Sequence, residues 1–383
     1  MGADEMTEIH GTCDDEFEPV QAAMAANFDS GQELGASVCV TLGGNPVVDL
    51  WAGDADENGR PWQADTIVNV YSTTKTMAAT VMLMLADRGE IDFSAPVATY
   101  WPEFAANNKE GVLVSHVMAH NAGLSGFDPA IAPEDLYDEE AVEHHLAAQR
   151  PWWEPGTHSG YHAISQGNLE AGIVRRVSGR SIGTFFREEV AEPLGADFHI
   201  GLPASEDHRV GDLVPSGAGL DGTDTAIDSI AARTLLSCPL DATETRTRAW
   251  RGAEIPAAGG TGNARSIARV HSALACGSEV DGVRLMSPGG VERIFEPQSE
   301  DVDLVLGMKM KLGMGFGLMN ESIPLSPNPR TCFWGGWGGS IALIDVDAQL
   351  TVRYAMNKMA SGLVGDLRGA MIVMSAYQAL AQL

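Results

Sequence analysis

The chain has 383 residues, 44% apolar and 20% charged, a composition that supports a real core and excludes disordered and fibrous classes. No apolar run approaches the ~18 residues that span a bilayer, and the acidic start Met1-Gly2-Ala3-Asp4-Glu5-Met6 lacks the basic region of a secretory signal, which predicts a cytoplasmic location. With 52 acidic against 24 basic residues and a formal charge of −28, the chain would be repelled by nucleic acid and by anionic membranes, so neither is an expected partner.

Taken in order, Phe17, Val20, Met24 and Phe28 recur at spacings of three and four behind Asp14-Asp15, which predicts an amphipathic helix lying on a sheet. Residues 36–42 and 47–51 flank Gly43-Gly44-Asn45-Pro46 and predict a hairpin. Helical periodicity follows at about 74–88, 134–148, 162–177 and 181–191, broken by loops such as Trp153-Glu154-Pro155-Gly156-Thr157. Residues 204–260, rich in Gly, Asp, Thr and Pro, predict long loops. Strands are expected at 340–345 and 350–356, then a closing helix presenting Leu363, Leu367, Met371 and Met374 on one face. Strand-plus-helix at both chain ends and helices between them predict an α+β fold. Residues 1–90 and 261–383 would form an α/β domain around an antiparallel sheet, and 91–260 an inserted, mainly helical domain.

The sharpest chemical signal is Val70-Tyr71-Ser72-Thr73-Thr74-Lys75, and Ser72 is the one serine with a lysine three residues on. Three residues along a helix put Ser72 and Lys75 on one face, where an amine can take the proton of an otherwise weak hydroxyl nucleophile. The helix N-terminus would favour a neutral lysine and an oxyanion. Taken alone, the spacing equally fits an exposed Ser and Lys in a helical first turn. The second signal is the turn-rich Pro155-Gly156-Thr157-His158-Ser159-Gly160-Tyr161-His162-Ala163, whose tyrosine could equally be a capping residue. The third is Phe333-Trp334-Gly335-Gly336-Trp337-Gly338-Gly339-Ser340 before a strand, where glycines would leave room for a ligand or simply make a turn. Five scattered cysteines (Cys13, Cys39, Cys238, Cys276, Cys332) with no Cys-x-x-Cys read as reduced packing residues. The histidines, His162 among them, show neither metal-ligand spacing nor a Ser-His-Asp set.

In this order the three motifs resemble the serine hydrolases related to class C β-lactamases, and most closely the family VIII carboxylesterases. Trp101-Pro102-Glu103-Phe104, His120-Asn121-Ala122-Gly123-Leu124, Glu192-Pro193-Leu194-Gly195, Gly262-Asn263-Ala264-Arg265-Ser266 and Met314-Gly315-Phe316-Gly317 extend the resemblance over most of the chain. It implies the β-lactamase/penicillin-binding-protein fold with the active site in the cleft between its two parts. Ser72 would be the nucleophile, with Lys75 and Tyr161 sharing the proton work; which of them deprotonates Ser72 stays open, because two coupled groups titrate as a unit. Trp334, Gly335 and Gly336 stand where the lactamases have Lys-Thr-Gly and would bind substrate, and the backbone N–H groups of Ser72 and Trp337 would form the oxyanion hole. His120 matches a landmark without a chemical role. The implied activity is hydrolysis of small-molecule, short- to medium-chain acyl esters through a Ser72 acyl-enzyme, without cofactor or metal. Rival readings are a β-lactamase or D-amino-acid peptidase, an acyltransferase to an alcohol or amine, and a catalytically silent scaffold. The departures favour the ester: Ala163 stands where lactamases carry an Asn, and Trp334 where they carry a Lys.

Overall fold

The computed structural model describes residues 7–217 and 228–383. Among them nine strands form one antiparallel sheet: β1 (Ile9–Cys13), β2 (Gly35–Leu42), β3 (Asn45–Gly53), β4 (Ser299–Val302), β5 (Lys309–Leu312), β6 (Gly317–Leu318), β7 (Thr331–Gly335), β8 (Ile341–Asp345) and β9 (Leu350–Met356). Their spatial order is β1-β3-β2-β9-β8-β7-β6-β5-β4. The two chain ends therefore meet in the β2–β9 ladder, with Val38 opposite Tyr354 and Val40 opposite Val352.

Six longer helices accompany the sheet: α1 (Glu18–Asp29), α2 (Lys75–Asp87), α3 (Glu139–Ala148), α4 (Ser165–Ser178), α5 (Ala264–Ala275) and α6 (Leu367–Leu380). Cys39 of β2 clusters with Ala264 and Ala268 of α5, which places α5 on one face. Gly369 of α6 lies against Ile341 and Tyr354, which point to the other face, where α1 also packs on α6. Covered on both faces, β2 and β9 are buried almost throughout, and their apolar character is nearly continuous, as two-sided burial requires. Between β3 and β4 the described chain adds no strand to this sheet.

The helix expected at 134–148 divides into a 3₁₀ turn, Pro133–Tyr137, and α3, while that at 181–191 is α-helical to Phe186 and continues as a π turn. Of the loops expected at 204–260, residues 218–227 lie outside the described chain. The rest carries short helices at Ile230–Leu236 and Arg248–Gly252 between loops and 3₁₀ turns.

One expectation is corrected. Leu363 precedes α6, and Leu367, Met371 and Met374 are 80%, 49% and 59% exposed. The buried face instead carries Ile372, Val373, Ala376 and Ala379 together with Gly369. Gly369 permits this face to pack, because a Cβ there would lie 2.9 Å from the Ile341 methyl, closer than a side chain tolerates. No described helix is long and apolar enough to cross a membrane.

Candidate active site

The short pair Val68–Asn69 with Thr261–Gly262 delivers the chain to a 3₁₀ turn, Tyr71–Thr74, that runs directly into α2. Asn69 fixes the corner, accepting the Tyr71 N–H at 3.1 Å through Oδ1 and donating to Ala258 O at 3.1 Å through Nδ2. Tyr71 is held at φ +43°, a left-handed conformation costly for a bulky residue. The strain falls immediately before Ser72.

Ser72 and Lys75 face one another as their spacing predicts, with Nζ 3.2 Å from the Ser72 Oγ. Lys75 Nζ also donates to the backbone oxygens of Ala163 at 2.6 Å and Ala257 at 3.0 Å, and among the described residues no carboxylate forms an ion pair with it. Burial of the 2% exposed side chain lowers its pKa to about 7, against the opposing pull of Glu170. Glu170, on α4, is itself buried with both carboxyl oxygens unbonded among the described residues. Burial pushes it up to about 8, while Lys75 pulls it down.

Tyr161 arrives from the other side of the cleft and donates its hydroxyl to the Ser72 Oγ. Burial raises the phenol above its ordinary range, the Ser72 hydrogen bond opposing. Its loop is braced by His120, which sits at φ +59° and accepts the His162 N–H at Nδ1 (3.1 Å) and the Gly160 N–H at its carbonyl (3.0 Å). His162 bonds Gly160 O through Nδ1 and accepts the Leu124 N–H at Nε2, 3.1 Å away. Those bonds fix a neutral tautomer, and burial holds its pKa at about 3. Neither imidazole meets Ser72.

The glycine-rich run ends β7 and turns beside Ser72. The Ser340 hydroxyl bonds Val70 O and the Thr73 hydroxyl, each at 2.9 Å, and the Trp337 and Tyr71 rings lie 4.9 Å apart. No described acceptor takes the Trp337 N–H. At Gly335 a Cβ would lie 2.4 Å from the Val364 carbonyl carbon, and at Gly336 2.2 Å from Val70 O. At these two positions the missing side chain makes room for the chain's own backbone. Trp334 is buried between Tyr161 (ring centroids 5.5 Å) and His120 (5.4 Å), its Nε1 without a partner among the described residues. Beside Ala163 a small recess of about 30 Å³ is lined by Phe127, Ile164, Leu235, Cys238 and Leu240 among others.

The structure thus brings Ser72, Lys75 and Tyr161 together, with the Trp334 to Trp337 turn against the same corner. Sequence reasoning missed the carbonyls of Ala163 and Ala257, Glu170 and Asp303, none of which carries a local signal. It also passed over Gly179-Arg180-Ser181-Ile182-Gly183, which has the letters of a nucleophile elbow. Ser181 caps a helix there, accepting the Thr184 N–H and donating to Glu254, and no histidine bonds it.

A family model described as Beta-lactamase matches residues 20–372. Esterase/beta-lactamase LipL of Mycobacterium tuberculosis is 36% identical over 95% of this chain and 86% of its own length. A crystal structure of a family VIII carboxylesterase superposes with a TM-score of 0.91 at 44% identity, covering 97% of this chain and 100% of that one. A penicillin-binding protein homolog from Caulobacter crescentus gives 0.90 at 36% identity, with the same coverage.

Proposed function

This chain belongs to the Beta-lactamase family, whose model spans nearly all of it, and from that premise we propose that it is a serine carboxylesterase acting on short- to medium-chain acyl esters through an acyl-Ser72 intermediate. The observation that carries the reading is the Ser72 hydroxyl set between the Tyr161 phenol and a lysine whose other two bonds go to carbonyl oxygens. A neutral amine has two N–H donors and one lone pair. With both donors taken by Ala163 and Ala257, the lone pair is left for the Ser72 proton.

Lys75 accepts that proton as Ser72 Oγ attacks the ester carbonyl, and the oxyanion is held by the backbone N–H groups of Ser72 and Trp337. The Tyr161 phenol, kept protonated by burial, protonates the departing alkoxide and recovers its proton from the Lys75 ammonium. In the second half Lys75 takes a proton from water as it attacks the acyl-enzyme and returns it to Ser72. The recess at Ala163 adds apolar surface beside the site, and Trp334 closes the wall behind Tyr161. Residues 1–90 and 261–383 are read as one domain and 91–260 as the second, with Ser72 and Trp337 from the first and Tyr161 from the second. Five cysteines, all free, support a reducing, cytoplasmic setting.

Two expectations test this. Because Lys75 must be neutral and its pKa is lowered to about 7, log kcat/KM should rise with unit slope below about pH 7 and level off above it. A pH–rate profile flat from about 5 to 9 would count against the lysine as base. The second concerns substrate class. Ala163 in place of Asn removes a neutral hydrogen bond (~1 kcal/mol) and Trp334 in place of Lys a charge-assisted one (~1.5–3 kcal/mol), together roughly two to three orders of magnitude in lactam recognition. Uncharged esters need neither contact. The value of kcat/KM for p-nitrophenyl butyrate is therefore expected to exceed that for nitrocefin at least about a hundredfold, and a preference for nitrocefin would favour the β-lactamase reading.

A further inference from the structure

We propose that Asp303 is a positioning residue for Tyr161, anchoring the tyrosine so that its phenol reaches the leaving group of the ester; the proposal rests on the acid role given to Tyr161 above. Asp303 follows β4 in the turn to β5 and is 1% exposed. A buried carboxylate normally needs a cation or several donors, and among the described residues no basic side chain pairs with this one. Its Oδ1 instead accepts three backbone N–H groups: Tyr161 at 3.0 Å, Val305 at 2.9 Å and Leu306 at 2.9 Å.

Two of those amides belong to its own turn and orient the carboxylate. The turn is closed further by Asp303 N–H to Met308 O (3.0 Å) and Gly307 N–H to Asp303 O (2.9 Å). The third belongs to Tyr161, 142 residues away in sequence. The neighbouring residue doubles the link, Leu304 donating to Ser159 O at 2.9 Å. Asp303 and Leu304 therefore grip Tyr161 and Ser159 from the sheet side, while His120 grips Gly160 and His162 from the other. The tyrosine backbone is held between the two, and a charged acceptor makes its anchor roughly twice as strong as a neutral one. The carboxylate also disfavours ionisation of the phenol, which suits a residue that must donate.

An anchored acid matters in proportion to how badly the leaving group needs a proton. p-Nitrophenoxide departs without one, whereas ethoxide does not. The experiment compares kcat/KM for p-nitrophenyl butyrate and ethyl butyrate in Asp303→Ala, Asp303→Asn and Tyr161→Phe. Asp303→Ala is expected to lose about thirtyfold or more on the ethyl ester and less than about fivefold on the nitrophenyl ester, since misplacing a catalytic group by about 1 Å costs up to about a hundredfold. Asp303→Asn keeps an acceptor oxygen and should stay within about threefold of wild type on both. Equal losses on the two esters, wild-type rates in Asp303→Ala, or an Asn variant as impaired as the Ala variant would each overturn the proposal. If the alanine variant does not fold, Asp303→Ser, too short to bridge three amides, replaces it with the same expectations. Tyr161→Phe separates the two levels of the argument. If it shows no selective loss on the ethyl ester, the acid role of Tyr161 fails and this proposal with it. If it does and Asp303→Ala does not, the assignment of Asp303 alone is wrong.

Discussion

Replacing Ser72 with alanine is expected to lower kcat for ester hydrolysis by roughly four orders of magnitude or more, because the proposed acyl-enzyme forms on the Ser72 oxygen. The fold should be indifferent. Ser72 contributes one small side chain to the corner, and its backbone is fixed by neighbours that the substitution leaves alone: Asn69 through the Tyr71 amide, and Ser340 through Thr73. What is lost is the hydroxyl's contact with Lys75 and with Tyr161, a stability change of about 1 kcal/mol in either direction. The measurement pairs burst kinetics with a thermal melt. A folded alanine variant retaining more than about 5% of wild-type kcat would show that Ser72 is not the nucleophile.

The contact between Ser72 and Lys75 was legible because it is local. Ser72 and Lys75 are three residues apart, so one helical turn makes their contact, and a sequence displays it directly. Tyr161 was legible only through resemblance to a family, since nothing in the loop around it states that it faces Ser72. The groups that tune the pair were not legible at all. Ala163 and Ala257 act through backbone carbonyls, which every residue possesses, and Ala257 lies 182 residues from the lysine it holds. Asp303 follows β4, which reads Ser-Glu-Asp-Val and is largely exposed, so the periodicity that reveals half-buried strands is missing there.

The same distinction governs the fold. β2 and β9 are long, apolar and β-branched, and strands were anticipated at both, in one antiparallel sheet built from the two chain ends. The edge strands β1 and β4 were not, because edges are commonly polar and short, nor were β5 and β6, which are only four and two residues long. In α6 the error was one of face. Large apolar residues at 367, 371 and 374 form the more conspicuous row, yet the face that packs on the sheet carries Gly369, Ile372, Val373, Ala376 and Ala379, and at Gly369 the approach of Ile341 leaves no room for a Cβ. The glycines at 335 and 336 show a similar limit. Sequence reveals that a Cβ is unwelcome, and only the structure identifies the Val364 and Val70 backbone as what stands in its way.

Lys75→Ala is expected to be nearly as damaging as loss of the nucleophile, about a thousandfold or more in kcat/KM for ethyl butyrate. The side chain is buried, holds the Ser72 hydroxyl at 3.2 Å and has its pKa lowered to about 7, and the described residues offer no second base to Ser72. Tyr161→Phe on the same alkyl ester should cost about a hundredfold or more, since ethoxide would leave unprotonated. The proton that Lys75 takes is the one that Tyr161 recovers, so the two act in a single circuit. The double variant should therefore be no more than about threefold worse than Lys75→Ala. The pH profile supplies an independent reading: the rise centred near 7 should vanish from the residual activity of Lys75→Ala and persist in Tyr161→Phe, where the amine is intact. Fully multiplicative losses, or a rise near pH 7 that survives without the lysine, would mean that the two residues work in separate steps and that another group titrates.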